Sequence, residues 1–264
     1  MSSPSSFSRR LGHGLMVLLP LVVLLIVWET AVRVMQVPAF ILPPPSAVGE
    51  RFLADLGSGY ILPHFIATAS EVVYGFLLAA VVGIGLGTAI ALVPVVERIV
   101  YPYVLVLQTI PKVAVAPLLL IWFGFGIQSK IITAGVIAFF PILVNVITGL
   151  KGVEPRRLLL MRALGASPLQ TFLKLRLPSM LPFLFAGLEV ATIFAVIGAV
   201  VAEFIGASVG LGSLIVQRQA AVDVAGVFSV LIYLSAIGIV FNLVLKLAGH
   251  RYAFWARPAR ETSA

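Results

Sequence analysis

Gly206, Ala207, Ser208, Val209 and Gly210 form a GxSxG run. In a strand, turn and helix, that spacing lifts a serine clear of its neighbours for acyl transfer. The chemistry also needs a histidine to take the serine proton. The three histidines, His13, His64 and His250, fall on different loops and ends, so the run reads as glycine-rich backbone and a membrane serine hydrolase is the weakest function. Gly124 to Lys130, GFGIQSK, approaches a phosphate-binding loop but has Ser129 in place of the second glycine. The absence of cysteine excludes thiolate metal sites and disulfides, and no carboxylate and histidine cluster has metal-ligand spacing. No catalytic residue, no metal site and no cofactor bound by this chain is expected, and any ATP chemistry must come from another chain.

What remains is a small set of charges in apolar surroundings: Glu29, Glu71, Lys112, Glu189 and Glu203. Such a charge at the centre of a membrane helix costs about 2.5–3.5 kcal/mol on insertion scales, so each needs a partner or water. Glu29, Glu71 and Glu203 fall near span ends, from which they can snorkel, and Glu189 can pair structurally. Lys112 sits in QTIPK, where Pro111 weakens the helix and Gln108 and Thr109 add hydrogen-bonding groups. Broken backbone at membrane depth is tolerated only within protein or beside a watery cavity. Two readings of Lys112 therefore stand, a contact in a solute pathway that favours anions and a structural ion pair. Gln108, Phe139, Asn145 and Glu203 are the further pathway candidates.

The elements that position these groups follow from composition. Of 264 residues, 61% are hydrophobic and 11% charged, and the mean hydropathy is +1.13. A soluble domain is about 45–50% apolar and about 25% charged. The chain therefore reads as an integral membrane protein, all-α, with one transmembrane domain over residues 11–250. Six stretches reach the roughly 20 residues that a spanning helix needs: Leu11 to Trp28, Val72 to Val96, Ile99 to Ser129, Ile131 to Leu150, Leu177 to Ala202, and Val224 to Leu245.

Basic residues are retained on the cytoplasmic side. With the N-terminus inside, thirteen of the 18 lysines and arginines are cytoplasmic, four (Arg33, Arg51, Lys130 and Arg218) lie outside, and Lys112 is within a span. Both termini are thus expected in the cytoplasm, with residues 1–10 disordered and 251–264 a tail. The formal charge of +8 reports topology rather than nucleic-acid binding. Arg9 and Arg10 precede an apolar run too long for a signal peptide and without a cleavage site, so a retained anchor is expected.

Outside, the prolines of residues 38–45 forbid helix. Ser46 is then placed to cap a short surface helix carrying Val48, Phe52, Leu53 and Leu56 near one face. Within the spans, Gly75, Ala79, Gly83, Gly87 and Ala91 recur every four residues, as do Gly187, Ala191, Ala195 and Ala199, with Glu203 next in that row. Small residues let membrane helices approach closely.

Lys151 to Pro182 holds six basic residues and a single acid, Glu154, among exposed-reading leucines. Pro155 suits the first turn of a helix whose free amides face Glu154, and Gly165 suits the left-handed position that ends it. Ser167, Pro168 and Gln170 make a capping box for a second helix, which Leu177-Pro178 ends. Two short helices around a glycine elbow result, with Leu158, Leu159, Met161 and Leu164 near the bend, either folded back onto the bundle or filling a groove in a partner.

At these residues the chain resembles the permeases of binding-protein-dependent ABC importers. Their cytoplasmic loop reads Glu-Ala-Ala, three residues, Gly, nine residues, Ile-x-Leu-Pro. Gly165, Leu175, Leu177 and Pro178 fall in that register, whereas Leu159, Leu160 and Met161 replace Glu-Ala-Ala. Arg162 and Ala163-Leu164-Gly165-Ala166-Ser167, together with LPPPSAV, QTIPKVAVAPLLLIWFGFGIQSK and AEFIGASVGLGSLI, are similar to the branch serving nitrate, sulfonates and taurine, which also holds permeases for pyrimidine precursors, riboflavin and aromatic carboxylates.

The resemblance implies a type I importer permease fold in a bacterial inner membrane, a coupling loop over 151–178, and a non-catalytic role. Arg156, Arg157, Leu158, Leu159, Met161, Arg162, Ala163, Gly165, Ala166, Ser167, Leu175, Leu177 and Pro178 would engage a cytoplasmic ATPase dimer that holds ATP and magnesium. A second permease, identical in a homodimer, would complete the pathway, and a periplasmic or lipid-anchored binding protein would deliver the solute. An ion-driven secondary transporter, suggested by Lys112 and Glu203, is the competing class and would need no ATP.

Overall fold

The computed structural model describes the main chain of residues 6–253 and of 255, and side chains from residue 19 onward. Arg257 and Arg260, counted in the expected cytoplasmic charge, lie outside the described residues. Every regular element described is helical. In order these are α1 (Ser6–Val34), α2 (Pro45–Ser58), α3 (Ile61–Leu92), α4 (Pro94–Thr109), a 3-10 turn (Lys112–Val115), α5 (Ala116–Phe123), α6 (Ile127–Lys151), α7 (Pro155–Ala163), α8 (Pro168–Thr171), a π turn (Phe172–Arg176), α9 (Leu177–Gly206), α10 (Leu211–Ala220) and α11 (Val224–Tyr252). Ser6 to Arg10, expected in a disordered tail, open α1, and Arg251 and Tyr252 close α11.

Among the described residues, four helices are long and apolar enough to cross a membrane, or five if one bent pair counts as a span; α1 adds a further 29 residues of helix. The bent pair corrects the expected third span. Instead of one helix from Ile99 to Ser129, Pro94–Thr109 and Lys112–Phe123 meet at 93°. Ile110 before Pro111 is extended, at φ −71° and ψ 130°. The proline ring disfavours the α conformation in the residue before it, and here the helix stops.

The described residues pack as two compact units, Met1–Leu62 with Leu214–Ile232, and Pro63–Ser213 with Tyr233–Ala264. In the first, Pro44 is the N-cap of α2 and its own side chain makes no cap hydrogen bond. Ser46 is not the cap. Its amide donates to Glu29 Oε2 at 3.0 Å and its hydroxyl to Glu29 Oε1 at 2.9 Å, while Arg33 holds the same carboxylate at 2.6 Å. Glu29 therefore satisfies an orphan amide of α2 instead of snorkelling. Val48 is buried, but Leu53 and Leu56 are exposed, so the expected apolar face divides. Arg218 reaches across the unit to chelate Asp55 at 2.6 and 2.8 Å, and Ser229 donates to the same carboxylate at 2.8 Å.

In the second unit, small residues place α3 and α9 against α6. A methyl added at Gly75 would stand 2.5 Å from Ala134 Cβ, one at Gly83 would stand 3.1 Å from Ile142, and one at Gly87 would stand 2.9 Å from Val146. On the α9 side, a methyl added at Gly187 would stand 2.7 Å from Asn145 Cβ and one at Gly198 would stand 2.7 Å from Ala134 Cα. Rising numbers pair with rising numbers for α3 and with falling numbers for α9, so α3 runs parallel to α6 and α9 antiparallel. Ile90, Val104, Leu143 and Ile147 form a core where α3, α4 and α6 converge.

Candidate functional site

The elbow is built from its caps. Gly165 is left-handed at φ +71°. Its N–H donates to Arg162 O and that of Ala166 to Met161 O, both at 3.0 Å, the paired bonds of a Schellman ending. Ser167 accepts from the Gln170 amide at 3.2 Å while Gln170 Oε1 accepts from the Ser167 amide at 2.9 Å, closing the expected capping box. Glu154 does not cap α7 with its side chain; the carboxylate sits 3.4 Å from Arg157 instead.

A larger correction concerns the second arm. Leu177-Pro178 ends nothing, because the helix runs unbroken from Pro168 to Gly206. Pro178 has no N–H for the carbonyl four residues back, and its ring would press on that turn. The π turn Phe172–Arg176 widens the helix just before it, the Leu177 N–H reaching back five residues to Phe172 O. Leu175, Leu177 and Pro178 are accordingly half-buried in this transition.

The apolar elbow residues divide by direction. Leu158 and Met161 are half-buried, whereas Leu159, Leu160, Leu164 and Leu169 are 61%, 59%, 72% and 65% exposed. Arg156, Arg157, Arg162 and Ala163 are exposed beside them, and Ala166 is half-buried behind. The residues standing where Glu-Ala-Ala was expected thus present two leucines outward and one methionine inward. A cavity of about 340 Å³ opens behind the elbow, between Leu158 and Arg162 on one side and Phe172 and Arg176 on the other.

The pathway candidates separate into two places. Gln108 and Lys112 flank the 93° break. Lys112 Nζ donates to Gln108 O at 3.3 Å and lies 4.9 Å from the centre of the Phe140 ring. No carboxylate pairs with it among the described residues. Phe139 meets Phe140 edge to face at 5.1 Å. Asn145 lies further along α6, donating to Pro141 O at 2.8 Å with its Cβ against Gly187.

Glu203 stands apart from these and does not snorkel, being 1% exposed. Its carboxylate accepts from Thr68 at 2.6 Å and from the Gly212 amide at 2.5 Å. Thr68 in turn accepts from the Leu211 amide at 2.7 Å. Glu71, also 1% exposed, pairs with Lys130 at 3.0 Å, and Lys130 donates to Val209 O at 3.4 Å. Together they hold the 207–210 loop to α3 and α6. Sequence reading missed this cluster as a unit, since Thr68 and Glu203 lie 135 positions apart; the available signal was the surplus of acids in apolar runs. The GxSxG run lies in this loop, in no strand, with Ser208 exposed. His64 does come to it, with Nδ1 2.9 Å from Gly210 O and 3.1 Å from Gly210 N, so its contact is with main chain.

All four basic residues expected outside face acids: Arg33 with Glu29, Arg51 with Asp223 at 2.9 Å, Lys130 with Glu71, and Arg218 with Asp55. Among the described residues, the elbow side shows only Lys151 with Glu97 and Arg157 with Glu154. The uncompensated positive charge is therefore concentrated on one expected side.

Residues 79–253 match the family model described as binding-protein-dependent transport system inner membrane component. The formylaminopyrimidine transport permease protein ThiX of Halalkalibacterium halodurans is 37% identical over 85% of this chain and 89% of its own length. The taurine transport system permease protein TauC of Escherichia coli is 30% identical over 89% of this chain and 87% of its own. Among solved structures, the MetNI methionine ABC transporter in an inward-facing conformation superposes with a TM-score of 0.60 over 75% of this chain and 96% of that one, at 22% identity, a likeness of fold.

Proposed function

The chain belongs to the inner-membrane components of binding-protein-dependent transport systems, and from that premise we propose that it is the permease subunit in which a separate ATPase drives passage of a small solute. It is a multi-pass membrane protein of the ABC importer permease type, close to the sulfonate and taurine branch. The observation that carries the coupling role is the elbow. Its leucines are exposed on two helices whose ends are fixed by a Schellman turn and a capping box, and its second arm is continuous with a membrane helix. Exposed apolar surface on a rigid, charged rim is what a groove in a partner recognises. In this reading the partner is a cytoplasmic ATPase dimer holding ATP and magnesium, and its closure moves Pro168–Gly206 as a lever.

A second copy of this chain completes the pathway, a periplasmic or lipid-anchored binding protein brings the solute to the side away from the elbow, and both termini lie in the cytoplasm. The fit to the ATPase rests on Leu159, Leu160 and Leu164 rather than on an acid. The test is reconstitution with the cognate ATPase and binding protein. Leu160→Glu with Leu164→Glu alters only side chains exposed on the free chain, so folding is expected to survive while binding-protein-stimulated ATP hydrolysis and uptake are lost together. Full stimulation and uptake in that variant would overturn the coupling role.

A further inference from the structure

Arg162 and Arg176 both line the cleft of about 340 Å³ behind the elbow, and no acid does. Arg162 is exposed in the last turn of α7 and Arg176 is half-buried in the π turn. Neither forms an ion pair among the described residues; on this side only Lys151 with Glu97 and Arg157 with Glu154 do so. A guanidinium keeps its charge and carries five N–H donors in a planar fork. The cleft therefore leaves two such forks for an acceptor from outside the chain. Thr171 adds a hydroxyl to the lining, and Leu92, Leu158 and Phe172 add an apolar wall.

The position of the cleft narrows the choice of acceptor. Leu92 is the last residue of α3, a helix long and apolar enough to cross a membrane, so the cleft opens where hydrocarbon gives way to headgroups. It also faces away from the leucines assigned to the ATPase. Leu160 follows Leu158 by two residues and Leu164 follows Arg162 by two, a rotation of about 200° around α7 in each case. The leucine face and the cleft thus lie on opposite sides of that helix. A free inorganic anion gains nothing from the apolar wall, whereas an amphiphile uses both halves of the lining, with its acyl chain on the leucines and its phosphate on the arginines in charge-assisted, two-point bonds. Resting on the cytoplasmic placement of the elbow proposed above, we propose that this cleft binds the headgroup of an anionic phospholipid of the inner leaflet. Arg162 and Arg176 hold the phosphate, Thr171 donates to a headgroup oxygen, and Leu92, Leu158 and Phe172 meet the upper acyl chain. Arg162 belongs to the first arm of the elbow and Arg176 to the second, so one lipid ties the two arms together.

The test uses the permease and ATPase complex in detergent, freed of native lipid, with dioleoylphosphatidylglycerol as the probe. Dioleoylphosphatidylcholine, whose headgroup carries its own cation, is the comparison, and native mass spectrometry counts lipid adducts across a titration. Phosphatidylglycerol is expected to fill a saturable site, to bind more tightly than phosphatidylcholine, and to weaken about tenfold in Arg162→Gln and in Arg176→Gln, roughly one charge-assisted bond each. Arg251→Gln removes the same charge from the end of α11 and is expected to leave the affinity unchanged. Equal affinity for the two lipids, unchanged affinity in both cleft variants, or an equal loss in Arg251→Gln overturns the site. Two other outcomes overturn it by naming a different occupant. Competition by inorganic phosphate as strong as by the lipid itself marks a free-anion site, and adducts on the free permease that vanish in the ATPase complex mark a cleft filled by a carboxylate of the partner. Should Arg176→Gln fail to assemble, Arg176→Lys keeps the charge without the planar fork, and a several-fold weaker affinity is expected; unaltered affinity counts against the proposal. Binding-protein-stimulated ATP hydrolysis by the same wild-type preparation reads the permease assignment separately, so the lipid site can fail while the assignment stands.

Discussion

Thr68 and Glu203 share a hydrogen bond of 2.6 Å, and the same threonine oxygen accepts the Leu211 amide at 2.7 Å. One hydroxyl thus serves a carboxylate and a main-chain donor that are both buried. Thr68→Val keeps the shape and removes both bonds, leaving two unsatisfied groups at about 1–3 kcal/mol each. Thr68→Ser retains them and is expected to lose little. Unfolding of the detergent-solubilised protein distinguishes the two, and equal loss in both variants would show that shape, not hydrogen bonding, matters at this position.

Two left-handed glycines make opposite predictions. Gly165 has φ +71° with nothing within 4 Å of an added Cβ, so Gly165→Ala carries only the conformational cost of about 1–2 kcal/mol. Gly210, at φ +135°, would drive the same methyl into the Glu203 carboxylate. Gly210→Ala is therefore expected to lower the melting temperature further and to disturb the Thr68 and Gly212 contacts. Comparable melting temperatures for the two alanine variants would count against the packing around Glu203.

The Lys130 and Glu71 pair suits a double-mutant cycle. Both side chains are nearly inaccessible, and removing one partner leaves a buried charge, at about 3–5 kcal/mol. Lys130→Met alone is expected to be strongly destabilising, and Lys130→Met with Glu71→Gln to recover much of the loss. Additive losses in the cycle would mean that the two groups do not interact.

Ser167 tests whether elbow rigidity matters as well as elbow chemistry. Ser167→Ala removes the capping box at about 1 kcal/mol and changes no exposed leucine. Global stability is expected to fall little and ATPase stimulation to weaken, with Ser167→Asp restoring it through an equivalent cap. If Ser167→Ala leaves stimulation at the wild-type level, the cap is dispensable for coupling.

Local features of this chain were readable without coordinates. The glycine and alanine rows predicted close helix contacts and do meet α6, because packing at small residues follows directly from their spacing. Gly165, Ser167 and Gln170 were readable because caps are settled within a few residues. The failures share a cause in distance or in competition. Ser46 looked like a cap, but a carboxylate 17 positions away took its amide. Leu177-Pro178 looked like an end, but the π turn before it absorbed the proline. Glu71 and Glu203 looked like independent snorkelling acids, since nothing local ties either to Lys130 or Thr68. The 93° break was half legible: Pro111 marked its place, and only the packing of Lys112 on Phe140 shows its direction.

The π turn has an effect that reaches beyond Pro178. One such turn acts as a single inserted residue, and each residue advances a helix by about 100°. Phe172–Arg176 therefore sets the angular phase between the elbow and the row Gly187, Ala191, Ala195, which is held fixed by α6. Deleting one residue there would leave the membrane helices seated as before and swing the elbow leucines about a third of a turn to another bearing. The bearing of the elbow leucines relative to the membrane helices is thus set by a five-residue turn that carries none of those leucines.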